Sequence, residues 1–429
     1  MTPAPLHIAM ISVHSSPLGP LGTQDTGGMS VYIRELSREL GRMGHRVDIF
    51  TGAGDPADGP GTERLHSNVR LVRLSLGPGG QAPKAELHTR LAHFARALNG
   101  FCDRAGADYD LVHSHYWLSG CVGEMLRSDR RRPHVTTFHT LAALKDEVLG
   151  QRTDPAIRVA AERELAAACD RVVVTSLRER SNLLRYYDAD AARVRVVPCG
   201  VDPVLFRPLG RHAARQRIGV GDDERLVLYV GRFAPEKGLE RLLRAIAAMP
   251  ALPRLRLVVV GGEGDADPQT GRMRAVAQSL GVGNRVAFAG RVEHPELPAY
   301  YSAADALALP SAYESFGMVG LEALSCGTPV AATRVGAMDE LITTGRNGSI
   351  ADGFTPEALA QAIGQTLALP SAASDDGRAR IRRTALRYSW AAVARELLQV
   401  YQSAMPALGH PLDDGRTQPA LAVHAGGVG

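Results

Sequence analysis

The 429-residue chain holds only five cysteines, Cys102, Cys121, Cys169, Cys199 and Cys326, scattered and without a C-x-x-C pair. That odd, dispersed set excludes a zinc-finger ligand pattern and a disulfide framework, so a reducing cytoplasm is the expected compartment. No Gly-x-Gly-x-x-Gly opens a strand-to-helix turn, which argues against a dinucleotide fingerprint. No apolar run is long enough to span a bilayer, and the first residues lack the basic and apolar regions of a secretory leader. Charge of one sign is nearly absent in net terms: 49 basic and 45 acidic side chains leave +4. A nucleic-acid surface is therefore not expected, whereas an anionic substrate or loose contact with an acidic membrane surface is compatible.

What is present is length and alternation. At 429 residues and 45% apolar content the chain is too long for one ordinary core, and two domains are expected. Strand-like apolar runs at 8–12, 47–51, 69–74, 110–115, 133–140 and 171–175 are separated by loops and helical patterns. The alternation restarts with 226–230, 255–260, 286–289, 306–309 and 330–333. This predicts an α/β protein of two Rossmann-like, doubly wound parallel sheets. The first domain is expected over 1–205 and the second over 206–384, with a last helix at about 385–404. Residues 405–429, rich in Gly and Pro, read as a disordered tail.

The most informative stretch runs from Pro310 to Pro329. An apolar run ends at Pro310, and a helical pattern starts near Phe316, with Val319, Leu321 and Leu324 apolar and Gly327 at its end. Glu314 precedes the helix and Glu322 lies about a turn and a half inside it. Free first-turn N–H groups favour an anion, and carboxylates beside them suit sugar or ribose hydroxyls. The pattern points to a phosphorylated, hydroxyl-rich ligand, against the plainer reading of two solvated acids at a capped helix. In the same half, Arg232 and Lys237 flank a short Pro-containing turn after a buried strand. Two such cations are what a departing pyrophosphate needs, although a solvated loop would look similar.

The first half is less explicit. Gly27-Gly28 opens a helix with Met29, Tyr32, Leu36 and Leu40 at helical spacing, which alone is ordinary turn chemistry. His113 and His115 share one strand face but have no third ligand nearby, so zinc is not expected. His139 stands where a parallel strand ends, the place where open α/β sheets bind ligands.

Glu314-Ser315-Phe316-Gly317, Glu322, Gly327-Thr328-Pro329, the Arg232–Lys237 turn and the loop before Tyr32 together resemble the retaining glycosyltransferases of family 4, or group 1. The resemblance runs from Ile8 to about Tyr401. It implies a GT-B fold, two Rossmann-like domains facing each other across a cleft, with the final helix completing the first domain. It implies transfer of a sugar from a nucleotide sugar, UDP-linked, to a hydroxyl of a small acceptor with retention at the anomeric carbon. The alternative within the family is a GDP-mannose-dependent mannosyltransferase acting on a lipid or polysaccharide.

By the same resemblance, His139, Arg232, Lys237 and Glu314 carry the chemistry. Gly27, Gly28, Ser315, Phe316, Gly317 and Thr328 help hold the donor; Arg232 and Lys237 take its diphosphate, Glu314 its sugar and Glu322 its ribose. The first half is most similar to the mycothiol-pathway members that act on inositol phosphate. This implies acceptor contacts from His14, Ser30, Lys84, Tyr116, Thr140 and Arg158, with the stretch His113 to Trp117 lining the acceptor side. Ser30 stands where those members have an Asn, and one hydroxyl cannot reproduce an amide's bonding. A phosphorylated polyol or sugar is therefore expected in preference to inositol phosphate itself. No side chain is identified as a nucleophile, so departure and attack on one face of the sugar are expected. Two cations already serve the diphosphate, so no cofactor or catalytic metal is required, though Mg2+ could accompany the nucleotide. An NAD(P)-linked oxidoreductase is opposed by the missing glycine fingerprint. A catalytically silent sugar-binding protein is opposed by the complete set of His139, Arg232, Lys237, Glu314 and Glu322.

Overall fold

The computed structural model describes residues 4–19, 26–53, 61–77, 86–249, 254–262, 264, 267–370 and 374–405. Lys84 and residues 406–429 of the expected tail lie outside them.

One sheet holds β1 (His7–Ile11), β2 (Arg46–Gly52), β3 (Gly61–His66), β4 (Val69–Leu74), β5 (Leu111–His115), β6 (His134–Thr137), β7 (Arg171–Val174) and β8 (Val194–Val196). Its order is β3-β4-β2-β1-β5-β6-β7-β8. Every neighbouring pair is parallel except β3 with β4, which form an antiparallel hairpin. The second sheet holds β9 (Arg225–Val230), β10 (Leu255–Val260), β11 (Val286–Gly290), β12 (Ala306–Leu309), β13 (Val330–Ala332) and β14 (Gly348–Ile350). Its order is β11-β10-β9-β12-β13-β14, parallel throughout. Helices cover both faces of parallel strands, which is why these strands are near-continuous apolar runs. Ile8, Met10 and Ile11 in β1 and Leu226, Val227 and Leu228 in β9 are fully buried.

Both sheets wind outwards in two directions from a central strand. In the first, the chain leaves β1 towards β2 and returns to its other side at β5; in the second, β9 lies between β10 and β12. Ligands bind beyond the carboxyl ends of strands at such switch points. The loops placed there follow β1 (Ser12 onward), β5 (Tyr116), β9 (Gly231–Lys237) and β12 (Pro310–Gly317), and these are the stretches that carry the sequence signals.

The chain crosses between the domains twice, side by side. Val201 N–H donates to Tyr388 O (2.8 Å) and Trp390 N–H donates to Val201 O (3.3 Å). The helix Trp390–Ala404 then packs on the first domain, where Tyr401 Oη bonds His113 Nδ1 at 2.7 Å. The last helix, expected at about 385–404, runs over Trp390–Ala404, and a separate helix, Asp375–Ala385, precedes it. The helix of the organising stretch starts at Met318, not Phe316, because Gly317 takes a left-handed φ of +96°. β14 is short and carries Gly and Ser, so its sequence offered no apolar run.

Candidate active site

The second domain builds its part of the site from two loops that brace each other. After β9, Tyr229 Oη donates to Arg232 O (2.7 Å), and a single 3-10 turn, Pro235–Lys237, follows. Gly238 closes it at φ +72°; a Cβ there would lie 2.2 Å from Pro310 O. Ala312 N–H donates to Glu236 O at 2.7 Å. The approach brings Lys237 Nζ within 2.7 Å of Glu314 Oε1, which also accepts from Ser311 Oγ at 2.9 Å. Arg232 is exposed, and its guanidinium has no partner among the described residues. Beyond Gly317 the N–H groups of Met318 and Val319 take no backbone carbonyl among those residues, so the helix opens with free donors.

The first domain brings its glycine turn to that point. Gly27 precedes the helix Gly28–Arg42 without a side-chain cap, and a Cβ on Gly28 would lie 3.4 Å from Met318 Sδ. Two helix N-termini thus converge on one place between the domains, a setting that favours an anion. Polar contacts bridge the domains beside it: Leu141 N–H donates to Tyr313 Oη (2.9 Å), and Ser176 Oγ donates to Ser315 O (3.2 Å). His139 follows β6 at φ +62°, with its Nε2 bonded to His115 Nδ1 at 2.9 Å. Burial pushes its pKa down to about 3.

The expected acceptor residues assemble only in part. Arg158, fully buried, donates to Tyr116 Oη (2.9 Å), Thr140 Oγ1 (2.8 Å) and Glu162 Oε1 (2.7 Å), and pairs with Asp154 (3.0 Å). Burial disfavours its charge, but Glu162, Tyr116 and Asp154 outweigh that and hold it protonated. Its own charge is therefore already answered by carboxylates, and it serves first to aim Tyr116 and Thr140. The His14 ring lies 4.5 Å from that of Tyr116, on the same side.

Several expectations need correction. The Ser30 side chain is fully buried and its hydroxyl bonds Ser15 Oγ at 2.7 Å, because it sits on the inward face of its helix. Thr328 is likewise buried, its hydroxyl donating to Tyr301 O at 2.5 Å, so it is turned away from any ligand. His113 and Trp117 lie in the core instead of lining the cleft. Phe316 is 2% exposed and offers a ligand little beyond its backbone.

Glu322 is nearly buried with both oxygens engaged, by His294 Nε2 (2.9 Å) and Tyr301 Oη (2.8 Å). Burial works against the His294 charge, yet Glu322 beside it raises its pKa. His294 was not anticipated; it lies in a short turn between β11 and β12 with no motif around it. Among the described residues one trio could hold a metal: Glu124, His134 and Cys169, with ligand atoms within 4.8 Å of one another. It is buried at the start of β6, the end opposite the cleft, and Glu124 is paired with Arg127 (2.9 Å). Burial raises the Cys169 thiol well above its usual range, which opposes a thiolate ligand.

Two doubly wound domains with facing switch points have the GT-B arrangement, and the Lys–Glu pair beside an open helix N-terminus suits a glycosyltransferase with a phosphorylated, hydroxyl-rich donor. Comparison with known proteins agrees. Residues 26–205 match the family described as Glycosyltransferase Family 4, and residues 210–385 match Glycosyl transferases group 1. D-inositol 3-phosphate glycosyltransferase from Corynebacterium glutamicum (strain R) is 38% identical over 414 residues, covering 93% of this chain and 97% of its own. The protein of that name from Acidothermus cellulolyticus is 39% identical over 410 residues, covering 94% and 91%. Among solved structures, sucrose-phosphate synthase from Thermosynechococcus elongatus is 35% identical with a TM-score of 0.82, covering 92% of this chain and 98% of that one. The chain belongs to the family 4, group 1 glycosyltransferases and is a glycosyltransferase.

Proposed function

We propose that this enzyme moves a sugar from a UDP-linked donor to a hydroxyl of a small phosphorylated acceptor, a polyol or a sugar, with retention. The observation that carries the reading is the Lys237–Glu314 contact of 2.7 Å, set beside Arg232 and the free N-terminus at Met318. Glu314 is the group for a sugar hydroxyl, and a ligand phosphate would share Lys237 with it. Arg232 and Lys237 would neutralise the diphosphate as charge develops on it. The leaving phosphate would take the acceptor proton on the same face, since burial makes His139 too weak a base to take it and Glu314 is turned onto Lys237. Closure of the cleft would exclude water, which competes as acceptor.

On the other side, His14, Tyr116 and Thr140, joined by the positive charge of Lys84, would receive the acceptor phosphate. Glu322, aimed by His294 and Tyr301, would meet the ribose by exchanging one of these bonds. Gly27, Gly28, Ser315 and Gly317 would admit the donor through backbone approach. No metal is needed in this scheme. The resemblance to a D-inositol 3-phosphate glycosyltransferase and a sucrose-phosphate synthase supports a phosphorylated acceptor. Five free, buried cysteines support a reducing compartment, the cytoplasm. The test is to incubate the full chain with UDP-glucose, UDP-N-acetylglucosamine or GDP-mannose, each with inositol phosphate or fructose 6-phosphate, and to weigh the products. A UDP-sugar product on a phosphorylated acceptor is expected. Turnover of GDP-mannose alone would overturn the donor assignment.

A further inference from the structure

His115 ends β5 and His139 stands just past β6, so the two rings meet at the carboxyl edge of neighbouring strands. One hydrogen bond of 2.9 Å joins His115 Nδ1 to His139 Nε2. A single proton serves that bond, and either ring could supply it. The surroundings break the tie. His115 is completely buried, and its Nε2 is a buried atom with no partner among the described residues.

If His139 supplied the proton, the neutral His115 ring would have to keep its own proton on Nε2, an N–H buried with nothing to accept it. If His115 supplies the proton, its Nε2 is only a bare lone pair. Orphaned N–H donors are the rarer defect in folded proteins. A second proton on the pair is no escape, because burial pushes both rings far below their usual pKa. Tyr32 Oη is also buried without a hydrogen-bond partner among the described residues, so it supplies no acceptor to His115 Nε2. His113 is occupied by Tyr401 (2.7 Å) and Thr137 (3.0 Å). Tyr32 stands edge-on to both rings, 5.7 Å from His115 and 5.2 Å from His139 between centroids.

We propose that His115 is a positioning residue that fixes the tautomer of His139. By donating from Nδ1 into His139 Nε2, it obliges His139 to carry its only proton on Nδ1. That nitrogen has no partner among the described residues, and it is the polar atom left for the cleft. The ring therefore offers a hydrogen-bond donor to an oxygen of the bound sugar, and it has no lone pair there with which to accept a proton. The catalytic consequence rests on the glycosyl-transfer reading above; the tautomer itself does not.

The experiment uses full-length protein labelled with 15N-histidine and long-range 1H–15N correlation, with the His139 signals identified by their loss in His139→Gln. In wild-type protein His139 is expected as the Nδ1–H tautomer, and His115 likewise with a bare Nε2. His115→Asn, whose side-chain amide can stand in for the Nδ1–H, keeps that His139 tautomer and turns over within about threefold of wild type. His115→Leu releases His139 to the Nε2–H form and lowers kcat by about tenfold or more, with the UDP dissociation constant unchanged. An Nε2–H tautomer of His139 in wild-type protein overturns the proposal whatever the enzyme transfers. A His115→Leu protein that keeps the Nδ1–H form also overturns it. If the expected tautomer is found but no nucleotide sugar is turned over, the functional reading fails and the tautomer assignment stands.

Discussion

Replacing Lys237 by Ala separates a catalytic cation from a structural one. At 2.7 Å from Glu314 Oε1, a unit pair gains about 6 kcal/mol in gross Coulomb energy at an effective dielectric of ~20. Most of that never reaches stability. The Lys237 side chain is 25% exposed and that of Glu314 13%, so solvent and lost side-chain entropy leave a net of about 1 kcal/mol. For a protein with domains of this size the expected fall in Tm is about 2–4 °C. The rate is a different matter. Removing one preorganised group aimed at developing charge costs about 100- to 1000-fold in kcat, or roughly 3–4 kcal/mol. The assay is UDP release with acceptor in excess, alongside a thermal melt and UDP binding by calorimetry. Glu314→Gln and the double substitution complete a cycle, and the two losses are expected to be strongly non-additive because the side chains touch. Turnover within about tenfold of wild type would refute the role given to Lys237. A Tm fall large enough to account for the lost activity would refute its separation from folding.

Arg158→Ala strands the buried Glu162 carboxylate, and a loss of about 3–5 kcal/mol is expected in denaturant unfolding. Gly238→Ala puts a Cβ 2.2 Å from Pro310 O at a left-handed φ; a destabilisation of about 1–3 kcal/mol should accompany weakened UDP binding. Burial raises the Glu179 carboxyl from 4.5 to about 7. Because the folded state binds this proton more tightly, stability falls as pH rises from the unfolded pKa near 4.5 through the folded one near 7. Glu179→Gln is therefore expected to stabilise the protein at pH 8 by up to about 3 kcal/mol and to lose that advantage near pH 5, as read from paired urea melts.

Much of the fold was legible because parallel strands must be apolar on both faces, so β1, β9, β10 and β12 appear as runs that no loop would carry. The organising stretch was legible for a related reason. Pro310, Gly317 and Gly327 punctuate it, and the two carboxylates sit at fixed offsets from that punctuation. Elements without such marks were missed: β14 is too short and polar, and the His294 turn has no flanking pattern. Side-chain direction was the other failure. Ser30 and Thr328 have the right chemistry at the right positions, yet each hydroxyl points inward, to Ser15 and to Tyr301.

By itself the sequence determined the two-domain α/β architecture and the loops that carry the chemistry, because strand burial and turn stereochemistry are local demands written in residue type. Only the tertiary structure decided which of those side chains meet. Lys237 and Glu314 are 77 residues apart and His115 and His139 are 24 apart. Such pairs are made by crossovers that return the chain to neighbouring strand ends, and no local pattern specifies on which face of a turn a polar group will find its partner.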